Sequence, residues 1–181
     1  MGVNYQGVLT GIQTFLPHMV EHGEEGHVLT TVSMAGLLPG AGTYGVSKHA
    51  VMALTESLSR DFINRQTKIN ASVLCPGFVD TNIDKSERNR PSHLGDARET
   101  TNEIGAEIMS AMLRQGKKPD EIAEIVLEAI KKNIFYILSH PAWDDSLRSH
   151  FDNILSRKEI VPNSEEEMAK FFSPREDGEK Y

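Results

Sequence analysis

The chain has 181 residues, of which 39% are hydrophobic and 25% charged, and its formal net charge at pH 7 is -7. The acidic balance argues against a nucleic-acid or anionic-membrane surface, because both need clustered Lys and Arg. A single cysteine, Cys75, excludes an intrachain disulfide and a cysteine-rich metal cluster. No apolar run has the length of a membrane span, and the first residues lack a signal segment, so we expect a cytoplasmic protein.

The first third of the chain predicts two helices around one strand. Apolar residues at three- and four-residue steps predict a helix from Asn4 to about His22, and Pro17 should kink it. The β-rich segment 27–32 predicts a strand, followed by a loop rich in Gly and Pro. Helical spacing resumes over 46–62, with Thr43 as the expected N-cap.

The middle of the chain predicts one strand and two helices. The segment 68–74 is a further strand, which the turn residues Pro76 and Gly77 terminate. The polar span 80–98 has no periodicity. A helix carrying Ile104, Ile108 and Met112 should end at Gly116, and Pro119 should open the next helix as its first residue.

The last part predicts a third strand over 134–138, an amphipathic helix over 143–155 and a polar tail over 163–181 that we expect to be disordered. Strands that alternate with helices predict an α/β fold with a parallel sheet and helices on both faces. We find no linker that would divide residues 1–162 into two domains.

Three polar residues around the second predicted helix carry the most specific signal. Tyr44 and Lys48 are one helical turn apart, so their side chains share a face, and Ser33 precedes them by a short loop. An ammonium about 4 Å from a tyrosine hydroxyl favours the phenolate by up to about 4 kcal/mol at an effective dielectric of about 20. Such a tyrosine can exchange protons with an alcohol or a carbonyl oxygen.

The order of these residues resembles the short-chain dehydrogenase/reductase family: a strand ending at Ser33, a Met-Ala-Gly loop, then Tyr44-Gly-Val-Ser-Lys48. The resemblance implies the last three strands of a Rossmann-type doubly wound sheet, and an oxidoreductase that interconverts an alcohol and a ketone or aldehyde with NAD or NADP. It implies that Tyr44 is the acid/base, that Lys48 also holds the nicotinamide ribose, and that Ser33 binds the substrate oxygen.

Two further segments resemble the family outside this core. Asn4 matches a helix asparagine that completes a proton relay through a bound water, although by itself it reads as a helix N-cap. Pro76, Gly77, Val79 and Thr81 match a segment that contacts the cofactor, although a Pro-Gly turn closing a strand is the simpler interpretation.

Some features depart from the family or compete with it. Ser33 and Tyr44 are 11 positions apart, a slightly shorter spacing than usual, so Thr31 or Thr43 is a fallback hydroxyl. The family's glycine-rich pyrophosphate loop does not occur in this sequence. Gly40-Ala-Gly-Thr-Tyr-Gly45 matches a dinucleotide fingerprint formally, but its acidic partner is missing.

We predict no metal site. His18 and His22 are one helical turn apart, but no third ligand is evident, and solvent-facing side chains are the favoured interpretation.

The resemblance also suggests a substrate and an assembly. Residues 84–115 would form the substrate-binding region, and its apolar side chains favour a lipophilic alcohol or ketone, unless they belong to the core. We expect a homodimer or homotetramer. The alternative function is a truncated, non-catalytic fragment that dimerises through the helices carrying Asn4 and Tyr44.

Overall fold

A computed structural model describes residues 1–95 and 103–159. Within these ranges the chain alternates α-helices with short parallel strands. The main elements are α1 (Gly7–His22), β1 (Gly26–Thr31), α2 (Gly42–Asn64), β2 (Ile69–Leu74), α3 (Glu103–Arg114), α4 (Pro119–Lys131), β3 (Tyr136–Ile137) and α5 (Asp144–Leu155). A π-helical turn, Gly2–Gln6, precedes α1, and 3-10 turns lie at Met34–Gly36, Ile83–Asn89, Ser92–Leu94 and Pro141–Trp143.

The three strands form one parallel sheet in the order β1-β2-β3. Thr31 pairs with Leu74, and Leu74 pairs with Ile137, so the three strands end side by side. In parallel α/β sheets the carboxyl ends of the strands are where ligands bind. The predicted α/β fold with a parallel sheet is confirmed.

The core lies where α1 and α2 pack on the sheet. Val51 and Met52 of α2 pack with Val73, which is fully buried in β2. A second cluster joins Phe62 of α2 to Ile69, with Met19 of α1 packed against it. These apolar residues recur at helical spacing in α1 and α2 and alternate along β2, so the apolar faces of the helices and of the strand pack in the same core.

The chain divides into two compact units. The first comprises Met1–Gly77 together with the described residues from Glu124 onward, and the second comprises Phe78–Ala123. The first unit therefore contains the sheet and the helices α1, α2 and α5. The second contains the two 3-10 turns after β2, and α3.

The predicted helices and strands are confirmed in type, with two differences in detail. Thr43 is not the N-cap of α2: the helix begins at Gly42, and the carbonyl of Ala41 accepts the amide of Gly45 at 3.0 Å. The third strand pairs only at Tyr136–Ile137, less than the apolar run suggested. The tail 163–181 lies outside the described residues.

Candidate active site

Tyr44 and Lys48 lie on the first turns of α2, as their spacing predicted. The Lys48 Nζ atom is 5.6 Å from the centre of the Tyr44 ring, so the ammonium lies over the ring. The Tyr44 side chain is 41% exposed. The pair therefore combines a cation with a phenol that solvent and small molecules can reach.

The Lys48 ammonium is held at the end of β1. Its Nζ donates a hydrogen bond to the carbonyl of Thr31 at 3.0 Å. Burial lowers the pKa of the Lys48 ammonium below its ordinary value, because desolvation disfavours the charged form. An ammonium has three donors, so one bond to Thr31 leaves two for other groups.

Ser33 follows β1 in a strained backbone conformation, with φ of 121° and ψ of 157°. This region of conformational space is essentially restricted to glycine, and strain of this kind clusters at functional sites. The Ser33 hydroxyl accepts the amide of Ala35 at 3.2 Å and donates to the carbonyl of Pro76 at 3.4 Å. Ser33 therefore caps the 3-10 turn Met34–Gly36 and contacts the loop after β2.

Gly36 brings the loop after Ser33 against α2. A Cβ atom at this position would overlap Cγ1 of Val32 and lie 3.0 Å from the carbonyl oxygen of Lys48. Only a residue without a side chain permits this approach. The spacing between Ser33 and Tyr44, although short, is therefore sufficient for the loop to pack on the turn of α2 that carries Lys48.

Asn4 contacts the same turn of α2 through a residue that the sequence did not single out. Its Nδ2 donates to Oγ of Ser47 at 3.1 Å, and Ser47 Oγ donates to the carbonyl of Tyr44 at 2.7 Å. Ser47 is almost fully buried. A serine three residues after Tyr44 commonly bonds back to the preceding turn, which is the signal that could have identified it.

Pro76 and Gly77 follow β2 at the same edge of the sheet. The amide of Met34 donates to the carbonyl of Pro76 at 3.0 Å, which continues the pairing beyond β1. The amide of Gly77 donates to Nδ1 of His140 at 3.0 Å. His140 is a second residue that the sequence did not single out, and its position three residues after the end of β3 is the signal that could have identified it.

Val79 and Thr81 belong to the second compact unit. The backbone of Val79 pairs with Lys117 in an isolated parallel bridge. Between them, Asp80 accepts hydrogen bonds from Lys118 Nζ at 2.6 Å and Arg114 Nη1 at 3.1 Å. The bond from Lys118, followed by that from Arg114, lowers the pKa of Asp80. This ion cluster ties the segment after Gly77 to the end of α3.

The remaining candidates take no part in this arrangement. Gly42 and Gly45 lie in the first turn of α2 itself. His18 and His22 are exposed on α1, and the described residues hold no cluster of potential metal ligands. Burial raises the pKa of the Cys75 thiol to about 12, so this cysteine is not a reactive thiolate. None of the described helices combines the length and the hydrophobicity that a bilayer crossing requires.

The comparison with protein families matches residues 1–92 to the short chain dehydrogenase family. This match covers about half of the chain and includes every residue of the Ser33, Tyr44 and Lys48 arrangement. The chain belongs to the short chain dehydrogenase family.

Individual relatives agree with this assignment. The chain is 30% identical over 157 residues to the C alpha-dehydrogenase of Sphingobium sp. strain SYK-6, covering 86% of this chain and 51% of the relative. It is 31% identical over 167 residues to the 1-deoxy-11-beta-hydroxypentalenate dehydrogenase of Streptomyces exfoliatus, covering 91% and 54%. The chain thus spans about half the length of these curated relatives.

A solved structure gives the same result for the fold. The chain superposes with a TM-score of 0.82 on a short chain dehydrogenase/reductase from Burkholderia phymatum in complex with NAD, at 37% sequence identity. The match covers 90% of this chain and 60% of that one.

Proposed function

We propose that this chain carries the catalytic part of an NAD(P)-dependent oxidoreductase that interconverts an alcohol and a ketone or aldehyde. The observation that carries the proposal is the placement of the Lys48 ammonium over the exposed ring of Tyr44. The same ammonium bonds the carbonyl of Thr31 at the end of β1, two residues before the strained Ser33. Family membership and the names of the dehydrogenase relatives support the reaction class.

Tyr44 is the acid/base in this proposal. In the oxidation direction its phenolate takes the proton of the alcohol O–H, and in reduction its phenol returns that proton to the carbonyl oxygen. A nicotinamide cofactor bound here would exchange a hydride with the carbon that carries the substrate oxygen. Ser33 turns its single hydroxyl proton from the Pro76 carbonyl, 3.4 Å away, to the substrate oxygen, where negative charge develops during the transfer. The Lys48 charge stabilises the phenolate form.

The chain's residues fit the nicotinamide end of such a cofactor. Lys48 has donors that its bond to Thr31 does not use, and ribose hydroxyls are suitable acceptors. Tyr44 would contact the same sugar, and the Pro76–Gly77 segment would lie against the nicotinamide. Val79 and Thr81 are cofactor contacts in this proposal because they match the family's segment after this strand. The relative from Burkholderia phymatum is described in complex with NAD, and the choice between NAD and NADP stays open.

Asn4 supports the site as a relay residue in this proposal. It lies in the π-helical turn Gly2–Gln6, and single π-turns inside helices are frequent at functional sites. Its side chain is fixed through Ser47 to the carbonyl of Tyr44. A water between Lys48 and the Asn4 turn would then carry protons from the Tyr44 pair to solvent.

The substrate in this proposal is a lipophilic alcohol or ketone bound by residues 84–115. Ile83 is 61% exposed and Ile108 is 50% exposed, so these side chains do not belong to the core of their unit. Exposed apolar side chains are suited to an apolar ligand. The relative from Streptomyces exfoliatus is named for a hydroxylated substrate, 1-deoxy-11-beta-hydroxypentalenate. The side chains of Leu94 and Ile104 lie outside the description.

Cofactor binding tests the proposal. NADH and NADPH are titrated separately into the chain up to millimolar concentration, with nucleotide fluorescence and melting temperature as readouts. We expect one of them to raise the melting temperature, and we expect Lys48→Met to abolish that rise. Lys68→Met is the matched control, since Lys68 is exposed just before β2. If neither nucleotide changes either readout, the proposal fails for this chain.

A second candidate function is a non-catalytic dimerising fragment. Apolar side chains of α1 and α2 face solvent: Phe15 is 67% exposed, Val46 is 62% and Ile63 is 73%. Helices with such side chains are suited to pair with a second copy. This candidate predicts a dimer that Phe15→Glu disrupts and Tyr44→Phe leaves intact in sedimentation velocity. Ile154→Glu on α5 is the control, because Ile154 is similarly exposed, at 56%.

A further inference from the structure

The loop after β2 is held from the side of β1 by the carbonyl of Pro76. This oxygen accepts the amide of Met34 at 3.0 Å and the hydroxyl of Ser33 at 3.4 Å. The orientation of the Ser33 hydroxyl therefore depends on where the Pro76 carbonyl lies. Any group that fixes the peptide between Pro76 and Gly77 also fixes an acceptor of Ser33.

The same peptide is held from the side of β3 by His140. The amide of Gly77 donates to Nδ1 of His140 at 3.0 Å. A Cβ atom at Gly77 would lie 3.1 Å from Cγ and Cδ2 of the His140 ring and 3.1 Å from Nε1 of Trp143. The imidazole and the indole thus pack directly on the Gly77 backbone, at a distance that leaves little room for a side chain.

The hydrogen bonds determine the proton position on His140. A backbone amide can only donate, so the Nδ1 atom that faces Gly77 must be unprotonated and the neutral ring carries its proton on Nε2. Oγ of Ser139 lies 3.0 Å from the same Nδ1 and is completely buried. Ser139 then donates as well, and two donors hold the ring in this tautomer.

We propose that His140 is a positioning residue of the active site, which holds the Pro76–Gly77 peptide between Ser33 and the end of β3. It acts through Gly77 and touches neither substrate nor cofactor. The inference rests on the proposed function, because Ser33 and the Gly77 backbone matter for catalysis only if this site binds substrate and nicotinamide.

The first test measures the contact without any cofactor. Amide hydrogen exchange at Gly77 is compared with exchange at Val73, whose amide donates to the carbonyl of Phe135 at 2.8 Å inside the sheet. We expect His140→Phe, which keeps a ring but removes the acceptor, to raise the Gly77/Val73 ratio at least tenfold. We expect His140→Asn, whose Oδ1 replaces Nδ1, to restore the wild-type ratio. His150→Phe on α5 is the control.

The second test measures the consequence for the site. We expect His140→Phe to raise the Kd for the nicotinamide nucleotide at least fivefold, and His140→Asn to stay within twofold of wild type. A structural role alone would lower the melting temperature of both variants and leave Kd unchanged. If His140→Phe does not fold, His140→Leu takes its place in both tests.

The outcomes separate this inference from the proposed function. If the wild-type chain binds neither NADH nor NADPH, the proposed function fails, and the exchange ratio alone decides whether His140 holds the loop. If the wild type binds a nucleotide and His140→Phe changes neither the exchange ratio nor Kd, the proposed function stands and the role of His140 is refuted.

Discussion

The two ends of the sheet make a direct comparison, because polar groups connect all three strands at each end. On the amino side, which we call the amino end, His27 Nε2 near the start of β1 lies 2.8 Å from Oγ of Ser72 in the middle of β2. Ser72 donates to the carbonyl of Ile134, just before β3, at 2.7 Å. At the carboxyl end, Ser33 contacts Pro76 and Gly77 contacts His140. Both chains of hydrogen bonds run from the β1 side of the sheet to the β3 side.

The ends differ in strain and exposure. Ser33 has a φ of 121°, whereas His27, Ser72 and Ile134 all have negative φ. Tyr44 is exposed beside the carboxyl end, while Ser72 is completely buried. A satisfied and unstrained chain of hydrogen bonds stabilises a fold. The strained chain, which lies beside the exposed Tyr44, is the one suited to bind and transform a ligand.

The largest contrast is expected between two serines, one at each end of the sheet. We expect Ser33→Ala to lower turnover about 100-fold, since it removes one donor to the developing oxyanion. We expect Ser72→Ala to leave turnover unchanged but to lower the free energy of unfolding by about 1–3 kcal/mol, since it removes a buried hydroxyl that bonds both His27 and the carbonyl of Ile134. Steady-state assays with secondary alcohols and NAD or NADP, together with urea denaturation, measure both. Equal effects of the two variants on turnover would contradict the claim that only the carboxyl end takes part in catalysis.

The packing that supports the carboxyl end is tested at Gly36. We expect Gly36→Ala to lower the free energy of unfolding by about 1–3 kcal/mol, because its Cβ would meet Val32 and the Lys48 carbonyl. Gly11→Ala is the control, since nothing lies within 4 Å of a Cβ there and α1 should gain about 0.5–1 kcal/mol. Urea denaturation compares the two, and a Gly36→Ala protein as stable as Gly11→Ala would contradict the close approach.

The strain at Ser33 is tested by comparing two variants that both lack the hydroxyl. We expect Ser33→Gly to be more stable than Ser33→Ala by about 1–2 kcal/mol, because glycine adopts this backbone conformation without steric penalty. Urea denaturation of the two variants isolates the backbone effect. An alanine variant that matches or exceeds the glycine variant would show that Ser33 stores no strain.

The smallest effect is a pH dependence at the amino end. Burial lowers the pKa of His27 in the folded protein, so below about pH 6.5 the unfolded chain binds more protons than the folded one. The stability that neutral His27 contributes is complete above that pH and is lost as the pH falls through the lower folded-state pKa. We therefore expect stability to decrease between pH 7.5 and pH 5.5 more in wild type than in His27→Gln. Denaturation midpoints at both pH values measure it, and parallel decreases would refute the assignment.

The comparison also explains what the sequence could predict. The elements α1, α2, β1 and β2 follow from apolar periodicity, because their buried faces repeat at the period of a helix or a strand. The shared face of Tyr44 and Lys48 follows from spacing within one helix. The family assignment made from these residues is confirmed. The roles of all the candidate site residues stay predictions: Asn4, Ser33, Tyr44, Lys48, Pro76, Gly77, Val79 and Thr81.

The unpredicted contacts join residues that are distant in sequence. Gly77 and His140 are 63 positions apart, and Asn4 and Ser47 are 43 apart. Local sequence patterns therefore do not predict either contact. The error at Thr43 has a local cause. A threonine near a helix start is a favoured cap, but here the helix begins one residue earlier and no side chain caps it.

Turnover of the Tyr44→Phe variant tests the central claim most directly. Tyr136→Phe is the matched control, since Tyr136 is a similarly exposed tyrosine whose hydroxyl donates at 2.8 Å to Glu56, about two helical turns after Lys48 in α2. We expect hydride transfer, followed by nucleotide absorbance, to fall about 10²–10⁴-fold in Tyr44→Phe while nucleotide binding persists. We expect Tyr136→Phe to retain wild-type turnover. A Tyr44→Phe protein that turns over substrate at the wild-type rate would show that Tyr44 is not the acid/base of this site.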